Sequence, residues 1–164
     1  MRRVLRGIGW LLLVLAGLAV ITALVARHSD GPIGPFPGGP LVAGELVNGS
    51  EPDWSFAAEL PNFEIEVGAA NPRSRTVWLI VDQGELFVPA GFASRKTWPS
   101  EAVADGRVVV RVAGKRYARQ ATRVSDPARL EALRAGLGRK YGMTPNPDGS
   151  DDTWFFHMGP RPAP

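Results

Sequence analysis

Residues 8–26, IGWLLLVLAGLAVITALVA, carry no charged side chain. At 1.5 Å of rise per residue, a helix of that length reaches about 28 Å, close to the hydrocarbon thickness of a bilayer. In hydrocarbon every peptide N–H and C=O must be satisfied within the segment, and for a single span only a helix does this. The stretch therefore predicts a transmembrane anchor in contact with the lipid bilayer, with Trp10 near the headgroup level. A cleaved secretory signal is the competing reading. Its apolar region is shorter, about 7–15 residues, and it needs a small-x-small cleavage site; here Leu24 stands where the first small residue belongs. The chain has no cysteine, which excludes a thiol-linked lipid anchor. Arg2, Arg3 and Arg6 in residues 1–7 outweigh Arg27 and His28 beyond the span. The positive-inside bias then predicts a cytoplasmic N-terminus and a single-pass cell-membrane protein whose remaining chain is extracytoplasmic.

The net charge of +3 and pI of 9.8 suggest an anionic partner, yet four of the 19 basic residues flank the span. Beyond it, 15 basic residues face 16 acidic ones. The basic excess belongs to the membrane segment, so nucleic acid is not expected as a partner. Charge is nonetheless uneven. Glu45, Glu51, Asp53, Glu59, Glu64 and Glu66 occur with no Lys or Arg between them, whereas residues 107–140 hold ten basic residues against Asp126 and Glu131. Two readings stay open: the segments neutralise each other across a sheet, or part of the basic one lines an anion site.

Residues 29–44 carry four prolines and five glycines, which suits neither a helix nor a central strand. The segment 27–44 is read as a linker, 45–158 as one domain with a single hydrophobic core, and 159–164 as a Pro-rich tail. Residues 63–67 alternate apolar and charged, as a strand with one wet face does. Residues 76–81 form a nearly continuous apolar run, which predicts one strand buried on both faces. The Asp82-Gln83-Gly84 turn leads into a strand over 85–88, and Ala113-Gly114 joins strands over 107–112 and 116–124. Asp126 and Pro127 mark a helix start, Leu130, Leu133, Leu137 and Tyr141 follow at helical spacing, and Gly142 ends it. A short helix over 99–104 and a last strand over 153–158 complete the count. About six short strands and one or two helices predict a mainly β (α+β) fold: a small antiparallel barrel. Val77, Leu79, Val108, Val110 and Leu133 are its expected core.

Over residues 75–141 the chain resembles the split-barrel flavin-binding superfamily, typified by pyridoxamine-phosphate oxidases and deazaflavin-dependent nitroreductase-like proteins. The resemblance is carried by Arg75-Thr76-Val77-Trp78-Leu79, the 82–88 hairpin, Ser94-Arg95-Lys96, Asp105-Gly106-Arg107-Val108, the strand pair about Ala113-Gly114, and the helix after Asp126-Pro127. It implies that Arg75, Ser94, Arg95 and Lys96 hold a cofactor phosphate. A dianion needs cations and donors converging from two chain segments, and an arginine fork with a lysine point charge meets that need. FMN or the deazaflavin F420 is the implied cofactor, with a homodimer as the implied assembly. Trp98, read as a loop residue beside Lys96, is a further candidate contact. Ile80 and Val88-Pro89 depart from the oxidase pattern and keep a non-enzymatic interaction module open beside an oxidoreductase.

His28 and His157, without cysteine, offer no zinc set, so no metal is expected. Nothing resembles a nucleophile elbow or a phosphate-binding glycine motif.

Overall fold

The computed structural model describes residues 2–47, 51–143 and 152–162. The apolar stretch lies within one helix, α1 (Arg2–His28), and its Leu5–His28 part is long and apolar enough to cross a membrane. There follow β1 (Leu46–Val47), a 3-10 turn (Trp54–Ala57), β2 (Phe63–Val67), β3 (Arg73–Val77), β4 (Ile80–Asp82) and β5 (Glu85–Gly91). After a second 3-10 turn (Ala93–Arg95) come α2 (Thr97–Ala104), β6 (Arg107–Val112), β7 (Lys115–Arg123), α3 (Pro127–Tyr141) and β8 (Thr153–Pro160). The strands form one sheet in the order β3-β2-β6-β7-β8-β5-β4, and β1 adds in parallel to β7. Apart from β1 the sheet is antiparallel, and it curls into the half-barrel of a split-barrel fold.

Alternation decides what lies inside. Ile65 and Val67 of β2, Val108, Val110 and Val112 of β6, Leu86 and Val88 of β5, and Met158 of β8 fill the interior, with Trp54 and Trp98 packed at its ends. A second cluster, Ile80, Phe87, Phe155, Leu133 and Leu137, joins α3 to the outer face of β4, β5 and β8. The five expected core residues are all buried. Each buried branched or aromatic side chain contributes about 1.5–3 kcal/mol.

Two hairpins turn through adjacent left-handed residues, Gln83-Gly84 and Ala113-Gly114, whose twist matches that of the flanking strands. Asp126 caps α3 by accepting from the Arg129 N–H at 2.7 Å, and Gly142 closes it at φ 67°. Acidic and basic segments do meet across the sheet. Glu64 of β2 lies opposite Arg111 of β6 and is bonded to it, while Glu51 pairs with Arg119 at 3.1 Å.

The single strand expected over 76–81 is two strands. β3 pairs with β2 at one end of the sheet and β4 with β5 at the other, so the chain crosses between them at Trp78-Leu79. Apolarity could not reveal the break, because Tyr141, 62 residues on, supplies its hydrogen bonds. The Tyr141 hydroxyl accepts from the Leu79 N–H at 3.1 Å and lies 2.8 Å from the Pro61 carbonyl and 2.9 Å from that of Leu79. The Tyr141 ring stacks on Trp78 at 4.5 Å. Trp78 is 44% exposed, not buried on both faces. The last strand also runs on to Pro160, into the segment read as a tail.

Residues 29–44 have no regular structure, but they lie against the barrel. Gly38 and Ser74 exchange N–H···O bonds of 2.8 and 3.2 Å, the Ser74 hydroxyl donates to the Gly39 carbonyl, and Leu41 is buried. Asp30 accepts from the N–H groups of Val42 and Ala43 and pairs with Arg111 at 2.8 Å. Proline and glycine exclude regular pairing along a segment; they do not exclude contact.

Candidate functional site

The two ends of the curled sheet face each other across a seam. On one side, Ser74 spends its backbone groups on Gly38 at the outer edge of β3. By the two-residue period, Thr76 turns its own N–H and C=O outward into the seam. On the other side, β4 pairs with β5 only as far as Ile80 opposite Phe87, which leaves the rest of β5 an edge. Pro89 falls there, where a missing N–H breaks no ladder bond.

A cleft of about 440 Å³ fills this seam, lined by residues of β3, Trp78, Pro89, Gly91, Phe92, Lys96, Trp98 and Met143. Arg75 shares a face of β3 with the buried Val77, so its stem enters the open end of the barrel. Its guanidinium lies 5.9 Å from the Trp98 ring centroid, and its Nε is buried with no hydrogen-bond partner among the described residues. Burial pushes the Arg75 guanidinium below its ordinary value, the carboxylate of Glu101 raises it and Arg73 lowers it. Arginine stays protonated regardless, so the cleft holds a desolvated cation. Lys96 stands exposed between the second 3-10 turn and α2, in extended conformation.

Three of the five residues singled out from sequence, Arg75, Lys96 and Trp98, thus share one cleft. Trp98 is not a loop residue: α2 begins at Thr97, and Trp98 packs on Phe156 at 5.6 Å while its ring edges the cleft. Ser94 and Arg95 lie elsewhere. The 3-10 turn sends these neighbours of Lys96 toward Asp152, whose carboxylate accepts from the Ser94 N–H at 2.9 Å and the Ser94 hydroxyl at 2.5 Å. Those Ser94 bonds, with Arg95 and Arg123 nearby, hold the Asp152 carboxyl below its usual range. A carboxylate already occupies the Ser94 donors.

Sequence reasoning missed Thr76, Trp78, Phe92 and Met143 on the cleft. The available signal was Pro89, since a proline inside a strand pattern marks an edge. Phe92 adds strain: it adopts φ 52°, ψ 45°, a left-handed conformation that costs a bulky residue about 1–2 kcal/mol, and its ring is 67% exposed on the rim. A larger cavity of about 540 Å³ lies by the end of α3, with Glu59, Asp82, Arg139 and Lys140. Its charges are mixed, and the field of Glu59 already acts on Lys140.

No protein-family profile and no curated protein matches the chain. Among solved structures it is similar to a NimC/NimA family protein from Clostridium acetobutylicum, at 14% identity and a TM-score of 0.48, over 61% of this chain and 74% of that one. It is similar as well to a protein from Listeria innocua assigned provisionally as a pyridoxamine 5'-phosphate oxidase, at 14% identity and 0.48, over 62% and 83%. A protein of unknown function from Agrobacterium tumefaciens follows at 15% and 0.46, over 71% and 57%. Likenesses this distant leave the site to be read from its own residues.

Proposed function

We propose that this chain is a membrane-anchored binding module that holds its split barrel outside the cytoplasm and takes, in the seam cleft, a phosphate-bearing ligand with a flat or apolar body. The observation that carries the reading is Arg75, a desolvated guanidinium facing the cleft with a buried, unpartnered Nε. An unsatisfied buried donor costs about 1–3 kcal/mol, and an anion supplying the acceptor recovers that cost with charge assistance. Lys96 adds a second cation, Thr76 an outward N–H, and Trp98, Trp78 and Phe92 an apolar enclosure for the rest of the ligand.

FMN and F420, implied by the family resemblance, fit this donor set in part. Arg75, Lys96 and Trp98 would face them, but the Ser94 donors are bonded to Asp152, with Arg95 acting on the same carboxylate. A phosphate in the cleft would meet Arg75 and Lys96 of the four donors that the resemblance implies. A flavin- or deazaflavin-dependent oxidoreductase remains the second reading, favoured by the aromatic walls beside the cationic floor.

The full chain in detergent or nanodiscs is the material to test, because residues 29–44 are part of the folded unit. Titration with FMN, F420 and inorganic phosphate should show binding of at least one of them that weakens about 10- to 150-fold for each of Arg75→Gln and Lys96→Gln, the loss of a charge-assisted bond of about 1.5–3 kcal/mol. Binding unchanged by both substitutions would discard this cleft. Binding without turnover of any electron acceptor would discard the oxidoreductase. For topology, an alkaline phosphatase fused after Pro164 should be active; a fluorescent cytoplasmic reporter there would reverse the orientation.

A further inference from the structure

The membrane helix and the seam cleft are adjacent parts of one assembly. Ala26, the last residue of the apolar stretch, is fully buried, and Thr22 and Ala23 one turn earlier are half-buried. The final turn of α1 is therefore covered within the fold instead of standing free of the rest of the chain. Arg73, at the start of β3, lies 3.4 Å from the Arg27 carbonyl and 3.4 Å from that of Pro37. Gly39, next to the Gly38–Ser74 pair, donates to the Ser29 carbonyl at 3.0 Å. These bonds fasten β3 to the end of the span. At about 3.3 Å per residue, Arg75 stands about 7 Å along the strand from Arg73. Arg73 reaches the Arg27 carbonyl with the tip of its side chain, so β3 stands off from the end of the span by about the length of that side chain, and the cleft cation lies near the headgroup layer, about 5–8 Å deep on each side of the hydrocarbon.

The surroundings have the chemistry of that level. Residues 31–44 are uncharged, and Ile33 and Phe36 pair into a tight apolar turn directly after the helix. On the cleft rim, Phe92, Trp78 and Met143 are 67%, 44% and 42% exposed. Aromatic rings of this kind are favoured at the membrane interface, where one part meets apolar chains and another meets water. The cleft thus joins a cationic interior to an apolar rim, beside a bilayer surface. An anionic amphiphile has the complementary order.

We infer that the phosphate taken by the cleft is lipid-borne: the headgroup of an anionic phospholipid-class molecule, set between Arg75 and Lys96 with its apolar part along Trp78 and Phe92. This rests on the cleft being a phosphate site, as proposed above, and narrows the ligand to one carried in the same bilayer as α1. The shared membrane also supplies effective concentration, so modest intrinsic affinity suffices.

The test uses the full chain reconstituted in phosphatidylcholine nanodiscs with or without phosphatidic acid, then released into mild detergent and weighed by native mass spectrometry. One retained phosphatidic acid is expected, falling about tenfold or more in Arg75→Gln/Lys96→Gln. It should be kept in Arg107→Gln, whose guanidinium is bonded to Asp105 away from the cleft. Near-ultraviolet dichroism checks that each variant is folded. If the double variant does not fold, a brominated phosphatidic acid that quenches the wild-type tryptophans and loses that quenching in Trp78→Phe/Trp98→Phe locates the lipid. An adduct that survives the double variant in a folded chain overturns the cleft as its seat. Glycerol 3-phosphate and inorganic phosphate form the soluble arm: if they bind through Arg75 and Lys96 while no lipid is retained, the lipid source is overturned and the phosphate cleft stands. If neither lipid nor soluble phosphate binds, both readings fall.

Discussion

Replacing Tyr141 by Phe removes one oxygen and keeps the ring that stacks on Trp78. That oxygen accepts from the Leu79 N–H at 3.1 Å and lies within bonding distance of the Pro61 and Leu79 carbonyls. Pro61 lies in an exposed loop, and its carbonyl can turn to water. Leu79 is fully buried, so its N–H is left without a partner, at about 1–3 kcal/mol. We expect about 2 kcal/mol of destabilisation, a fall of about 6–12 °C in Tm for a domain of this size, measured by near-ultraviolet dichroism of the full chain in detergent. A pH arm isolates the hydroxyl. Burial raises the Tyr141 phenol above its ordinary value of 10.0, and the Leu79 bond lowers it only in part. A folded-state pKa above the unfolded one means a contribution fully present below pH 10 and lost as pH rises through the folded value. The wild type should therefore lose stability relative to Tyr141→Phe on the alkaline side of pH 10. A variant within about 0.5 kcal/mol of wild type, with the same alkaline limb, would refute the claim that this hydroxyl pins the crossover between β3 and β4.

Two other perturbations probe the docked segment and the outer core. In Asp30, burial alone would raise the carboxyl, but the Val42 N–H, Arg111 and the Ala43 N–H hold it below its ordinary value; its contribution is present above about pH 3.8 and lost as pH falls through the lowered value. Asp30→Asn should weaken a partly screened ion pair by about 1 kcal/mol and raise proteinase K cleavage within residues 29–44 about fivefold, and acidification of the wild type should do the same. Leu133→Ala, at a site with no exposed surface, should cost about 2–5 kcal/mol and speed amide exchange first in α3; an unchanged exchange pattern would mean that α3 is not held by its outer cluster.

Where pattern and packing coincide, the fold was legible. Alternation over 63–67 marks β2, valines at every second position mark β6, and Asp126, Pro127 and Gly142 bound α3, because each depends on neighbours within a few residues. The break at Trp78-Leu79 depends on Tyr141, and an apolar run looks the same whether or not a distant hydroxyl interrupts it. The Ser94-Arg95-Lys96 group divides for a related reason: Ser94 and Arg95 belong to the 3-10 turn, Lys96 is the extended residue after it, and Asp152, 58 residues from Ser94, claims the first of the three. Of the site, the cations and Trp98 could be named in advance. The seam that gathers Thr76, Trp78 and Phe92 beside them exists only once the sheet has curled.

The ends of that sheet bear on how many copies can share a membrane. With α1 in a bilayer, as proposed, neighbouring chains would be confined to two dimensions and collide often, and a bare strand edge is a template on which identical edges stack. Here one terminal strand has the 38–39 segment bonded along it at Ser74, and beside the other Pro89 withholds an N–H where a foreign strand would need it. What stays open is too short to zip, so the gap can remain accessible to a small ligand without becoming a seed for aggregation.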